Sequence, residues 1–211
     1  MTTAALTEHD DHAGHQKASP ETSRFGMIMF LASEAMLFAG LLGGYFVLRW
    51  TENGFPWQEG YSWPPAVYGD IVRLPWIQTA IASIFLISSS FTYHFAEGSV
   101  KKGKTGIFWL LVTLLLGTIF VGFQVYEWLH LHHEGLWFNT GGVYGSSFFV
   151  ITGFHGAHVL IGLLLILYCL IRQIFTRCYS PERHVSLNNI GLYWHFVDAV
   201  WIVVFTLLYL I

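Results

Sequence analysis

The sequence predicts an all-α, polytopic membrane helix bundle with five transmembrane helices. Three observations predict it. Of 211 residues, 54% are hydrophobic and only 11% are charged, against about 25% charged in an ordinary soluble domain. Five apolar stretches each reach the roughly 20 residues that cross about 30 Å of hydrocarbon as a helix. Ionisable residues also lie inside three of those stretches: Glu34, the pair His155 and His158, and the pair His195 and Asp198. Such a group near the bilayer centre costs roughly 2.5–3.5 kcal/mol on insertion scales, so it faces protein or water. A bundle with a polar interior follows. The net charge of −3, without a basic stripe, argues against a nucleic-acid partner.

The elements follow in order. Residues 1–24 are polar and include His9, Asp10, Asp11, His12 and His15. They show no apolar periodicity and are expected to form a disordered tail. No apolar run precedes Phe25, so this stretch does not read as a signal peptide. Residues 25–211 form the transmembrane domain, with helices at about 25–50, 74–95, 105–130, 146–171 and 189–211. Backbone groups in lipid must pair within their own segment, so helix is the expected form of each. The first connection, 51–73, is rich in Trp, Pro and Gly and is expected to cap the bundle at the interface. Trp50, Trp57, Trp63 and Trp76 suit an interfacial aromatic belt. The second connection is short and basic, the third carries His132, His133 and Glu134, and the fourth carries three arginines. Cys169 and Cys178 do not make a disulfide framework.

Orientation follows from the basic residues. Lys17, Arg24, Lys101, Lys102, Lys104, Arg172, Arg177 and Arg183 fall on one side of a five-helix bundle, and only Arg49 and Arg73 on the other. The positive-inside rule then places the N-terminus in the cytoplasm and the C-terminus outside.

Depth assembles the polar residues. Glu34 and Asp198 each lie about nine residues from the basic side, and the histidines reach the same band at about 1.5 Å per residue. His155 and His158 are three apart and are expected to share a helix face, as are His195 and Asp198. Glu34, His155, His158, His195 and Asp198 are therefore expected to form one buried polar network. Glu127 lies near an outer helix end and is expected at the outer interface. Gly40 and Gly44, and Gly153, Gly156 and Ala157 around His155, would let helices approach closely. Three functional readings stay open beside a structural one. They are a His/carboxylate metal site, an axial histidine pair for haem and a proton or ion pathway. The structural reading is a hydrogen-bond network that fixes helix packing.

Longer motifs carry a resemblance. Tyr144-Gly-Ser-Ser-Phe-Phe, Thr152-Gly-Phe-His-Gly-Ala-His-Val and Tyr193-Trp-His-Phe-Val-Asp-Ala-Val-Trp, in this order, resemble subunit III of the haem–copper respiratory oxidases. Ser33-Glu34-Ala-Met-Leu-Phe looks like that family's membrane-embedded glutamate motif, and Gln124-Val-Tyr-Glu127-Trp like a further helical turn. The likeness covers Phe25 to the C-terminus and fits the five-helix bacterial form, which lacks the first two of seven helices. It implies a non-catalytic subunit of a complex that reduces oxygen to water and pumps protons. The haems and copper would lie in subunits I and II, with no catalytic residue, metal or cofactor in this chain. Subunit I would be the direct partner, with extra helices of its own in the vacated place. Phospholipid binding is implied, with Arg172 matching an arginine that meets lipid phosphate. Arg177 is a second expected lipid contact from its basic position. Glu34 matches the carboxyl that reacts with carbodiimide. Thr152-Gly-Phe-His looks more like the cytochrome c branch than the quinol branch. A bacterial cell membrane, or another energy-transducing membrane such as the thylakoid, is the implied location. A free-standing proton-coupled transporter is the alternative of another class.

Overall fold

A computed structural model describes residues 19–50, 66–67, 70–71, 74–182 and 184–210. The tail before Ser19, Trp57, Trp63, Arg73 and Arg183 lie outside the described residues. The helices are α1 (Pro20–Trp50), α2 (Trp76–Lys101), α3 (Ile107–His133), α4 (Gly142–Thr176) and α5 (Val185–Phe205). All five are long and apolar enough to span a membrane. A π-helical turn, Thr206–Leu210, continues α5. Between α1 and α2, β1 (Ala66–Val67) pairs antiparallel with β2 (Asp70–Ile71).

The helices outrun the apolar stretches. α1 starts at Pro20 rather than at residue 25, and α2 runs to Lys101 rather than 95. α4 extends at both ends, and α5 begins at Val185 rather than 189. Hydropathy marks where lipid ends, whereas the backbone ladder continues until a cap or a turn stops it. At α1 that cap is Ser19, whose Oγ accepts from Thr22 N at 3.1 Å, with Pro20 at the first helical position. The link from α2 to α3 is correspondingly tight. Gly103 and Gly106 turn it with φ of 76° and 65°, a region glycine enters without cost. A Cβ on Gly106 would also stand 2.9 Å from Ala96 O.

α2, α3, α4 and α5 pack in a ring, α2 against α3 and α5, and α4 against α3 and α5. α1 lies on the outside of that ring, against α4 and α5. Its best apolar window is only 6% buried, compared with 44% for α5. Lipid removes most of the hydrophobic drive between helices, so close packing and interhelical hydrogen bonds must hold them. Two buried tryptophans of α5 supply both. Trp194 Nε1 donates to Ser89 Oγ at 3.0 Å and Trp201 Nε1 to Ser83 Oγ at 2.8 Å, both across the α2–α5 seam. The Trp194 indole lies between Gly162 of α4 and Gly117 of α3. A Cβ on Gly162 would stand 2.6 Å from its Cε3, and one on Gly117 would stand 3.1 Å from its Cη2.

The glycines expected to bring helices together are not the ones that do. A Cβ on Gly40, Gly44 or Gly156 would meet nothing within 4 Å, and one on Gly153 would meet only Trp128, at 3.3 Å. Gly40 and Gly44 line an open groove of about 330 Å³ between α1 and α4. Close interhelical approaches occur instead at Gly117 and Gly162, where a full indole has to fit between two helices, and at Gly191, against Tyr93 of α2.

Candidate functional site

The polar residues predicted to form one network separate into two clusters and an isolated ring. The first cluster joins α1 to α4. His158 Nε2 meets Glu34 Oε2 at 2.9 Å, and His158 Nδ1 reaches Phe154 O at 2.6 Å. Both side chains of the pair are largely covered. Tyr193 of α5 donates to His158 O at 3.0 Å, so three helices meet at this residue.

The second cluster joins α2 to α5. Ser90 Oγ donates to Asp198 Oδ2 and meets His195 Nδ1 at 3.0 Å. The expected shared face of His195 and Asp198 is therefore observed. With the serine proton given to Asp198, the serine oxygen accepts from Nδ1–H, which sets the histidine tautomer. Asp198 Oδ1 is buried without a hydrogen-bond partner among the described residues.

His155 departs from the single network. It is fully buried, its ring stacks on Trp201 at 4.7 Å between centroids, and Phe120 meets it edge-on at 6.1 Å. Neither ring nitrogen has a hydrogen-bond partner among the described residues. Three residues rotate a helix by about 300°, leaving two side chains some 60° apart. That offset turns His158 toward α1 and His155 toward α3 and α5.

Glu127, expected at the outer interface, is buried between α2 and α3 near their outer ends. It is 4% exposed, accepts from Thr79 Oγ1 at 3.1 Å and from Gln124 Nε2 at 3.3 Å. α3 continues three residues past the apolar stretch to His133, just under one further turn, and the Thr79 that meets Glu127 lies in the first turn of α2.

At the opposite end of the bundle, Arg172 Nη1 donates to Tyr168 Oη at 3.1 Å and its guanidinium lies over that ring at 5.7 Å. Arg177 closes α4 with a φ of 44°. Beside them Gln173 joins the α2–α3 connection to the α4–α5 connection. It donates to Thr105 O at 3.1 Å and accepts from Tyr179 N at 3.0 Å. Burial first, and then its bond to Cys169 Sγ at 3.2 Å, pushes the Tyr179 hydroxyl well above the usual phenol range, so it stays a donor. Cys169 and Cys178 are both free thiols.

Sequence reasoning passed over the hydroxyls of α2. Thr79, Ser83 and Ser90 recur at four- and seven-residue steps on one helix face, and Ser89 lies beside it. That spacing is the signal that locates them. Among the described residues, no three His, Cys, Asp or Glu side chains converge as metal ligands would.

These contacts sit on the same motifs that carried the resemblance, and comparison with known proteins decides the matter. A family described as cytochrome c oxidase subunit III matches residues 4–211. The chain belongs to the cytochrome c oxidase subunit III family. It is 38% identical over 199 residues to cytochrome c oxidase subunit 3 of Thermostichus vulcanus, covering 93% of this chain and 91% of that one. It is also 38% identical to probable cytochrome c oxidase subunit 3 of Nocardia farcinica, covering 93% and 92%. Cytochrome bo(3) ubiquinol oxidase subunit 3 of Pseudomonas aeruginosa is 36% identical over 220 residues, covering 100% and 98%. Relatives thus carry both donor names. The five spanning helices and this membership make the chain an integral membrane protein of the respiratory oxidases.

Proposed function

We propose that this chain is a non-catalytic core subunit of a proton-pumping haem–copper oxidase that reduces oxygen to water. It acts as a helical scaffold rather than as a redox centre. The observation that carries this reading is where the intramembrane polar groups go. Glu34–His158, Ser90–Asp198, Ser89–Trp194, Ser83–Trp201 and Thr79–Glu127 each join two different helices. Charged and polar groups spent on helix pairing hold a shape. The haems and copper belong to subunits I and II, and subunit I is the direct partner.

The basic ends of the helices face the cytoplasm, so the C-terminus lies outside. The host membrane is the bacterial cell membrane or a thylakoid. Arg172 and Arg177 lie at that basic level, where lipid phosphate lies. With lipid bound there, the subunit supports proton uptake and stability in turnover. Glu34 is the carbodiimide-reactive carboxyl. Cytochrome c is the favoured donor, and the 36% identity to a ubiquinol oxidase subunit keeps quinol as the second reading.

Gentle detergent extraction through an affinity tag on this chain, followed by an absorption spectrum, tests the proposal. Co-purification with a haem-bearing large subunit is expected. A colourless, solitary chain that transports protons or solutes would replace the proposal with the transporter reading.

A further inference from the structure

The cluster Asp198–Ser90–His195 does more than join two helices, because it ends at a cavity. A cavity of about 450 Å³ lies between the basic ends of α1, α2 and α5. Glu21 and Arg24 of α1, His94, Glu97 and Lys101 of α2, and His195 of α5 are the titratable and charged groups that line it. Its size and polar lining suit water. His195 lies on the wall of the cavity and carries the contact inward, since its Nδ1 is 3.0 Å from Ser90 Oγ. Ser90 passes it on to Asp198, a side chain only 6% exposed.

Asp198 Oδ1 is buried and unpartnered among the described residues. An ionised carboxylate held there is poorly compensated, and a protonated one is not. Two adjoining side chains, Ser90 and His195, link that carboxyl to the cavity.

We propose that Asp198 is a buried proton-storing carboxyl that exchanges protons with the cavity water through His195 and Ser90. A proton from cavity water binds His195 Nε2. The Nδ1 proton passes to Ser90 Oγ as the Ser90 hydroxyl proton passes to Asp198 Oδ2. The water loses one proton, the carboxylate gains one, and the histidine is left as the other neutral tautomer. The reverse passage returns the proton and restores the starting tautomer. This inference rests on the reading that the basic end of the chain faces the proton-supplying side of an oxidase.

Infrared difference spectroscopy of the whole purified oxidase, titrated in H₂O and D₂O, tests it. A protonated-carboxyl stretch is expected that Asp198→Asn deletes and Asp198→Glu moves. In D₂O that band shifts promptly in the unaltered complex, and Ser90→Ala, which keeps the carboxyl, slows its exchange by about tenfold or more. If Asp198→Asn blocks assembly, Asp198→Glu and Ser90→Ala give the same two readings. The inference is overturned if an intact, haem-bearing complex shows no such band at any pH. It is also overturned if the band exchanges as fast without the Ser90 hydroxyl. A preparation lacking the haem subunits would instead overturn the oxidase reading beneath it.

Discussion

Substituting Gly162 by alanine adds one methyl group at a place with no room for it. Its Cβ would lie 2.6 Å from Trp194 Cε3, 2.7 Å from Cζ3 and 3.3 Å from Tyr193 Cε1. The indole cannot simply slide away. Gly117 bounds its far edge, and its N–H is held by Ser89. Overpacking a filled core costs about 1–3 kcal/mol, and a helical Gly-to-Ala change returns up to about 1 kcal/mol of propensity. Gly156 is the matched control, on the same helix, with nothing within 4 Å of its added Cβ. Gly156→Ala is therefore expected to be neutral or slightly stabilising. Gly162→Ala is expected to lower the unfolding midpoint of the detergent-solubilised complex by several degrees, at about 2–4 °C per kcal/mol for a chain of this size. Thermal scans read by tryptophan fluorescence measure both variants. Equal midpoints would refute the argument that Trp194 is clamped between two glycines.

Two further outcomes are expected. A cysteine at exposed Asn139, between α3 and α4, should react with a membrane-impermeant maleimide in intact cells once Cys178 is replaced by serine; labelling only after lysis would reverse the orientation. Glu34→Gln should keep much of the contact with His158 and still assemble with oxygen reduction intact. Glu34→Ala should weaken assembly, leaving a gap and an unpaired imidazole worth about 1–2 kcal/mol, as measured by subunit yield on co-purification. Complete loss of turnover in an assembled Gln variant would make Glu34 part of an obligatory proton path.

The five helices were legible because lipid imposes a length and an apolar composition that few other structures share. Their ends were not, since a polar interfacial residue such as Glu97 or Lys101 is as helical as the apolar one before it. Depth gave the level of Glu34 and His158 but not their pairing, which depends on how α1 and α4 are rotated. Rotation also separated His155 from His158. The seryl and threonyl groups of α2 escaped notice because such side chains often bond only to their own helix, as Ser99 does with Phe95 O at 2.8 Å. Ser83 does both, bonding back to Thr79 O and receiving Trp201. Depth along α3 could not show that Glu127 faces α2.

The outlying position of α1 bears on how the chain is made. α1 is the first of the five helices to leave the ribosome, yet both helices it packs on are the last two. Glu34 and His158 are 124 residues apart. At about 5–20 residues per second, Glu34 waits on the order of ten seconds for its imidazole to be synthesised. A second anchor of similar kind, Asn189 Nδ2 to Ser23 Oγ at 3.0 Å, is later still. The first helix is therefore made well before the histidine its carboxyl pairs with. Biogenesis is thus exposed to any insertion factor or protease that recognises a lone polar helix, and a ribosome stalled before α4 would leave that helix unclaimed.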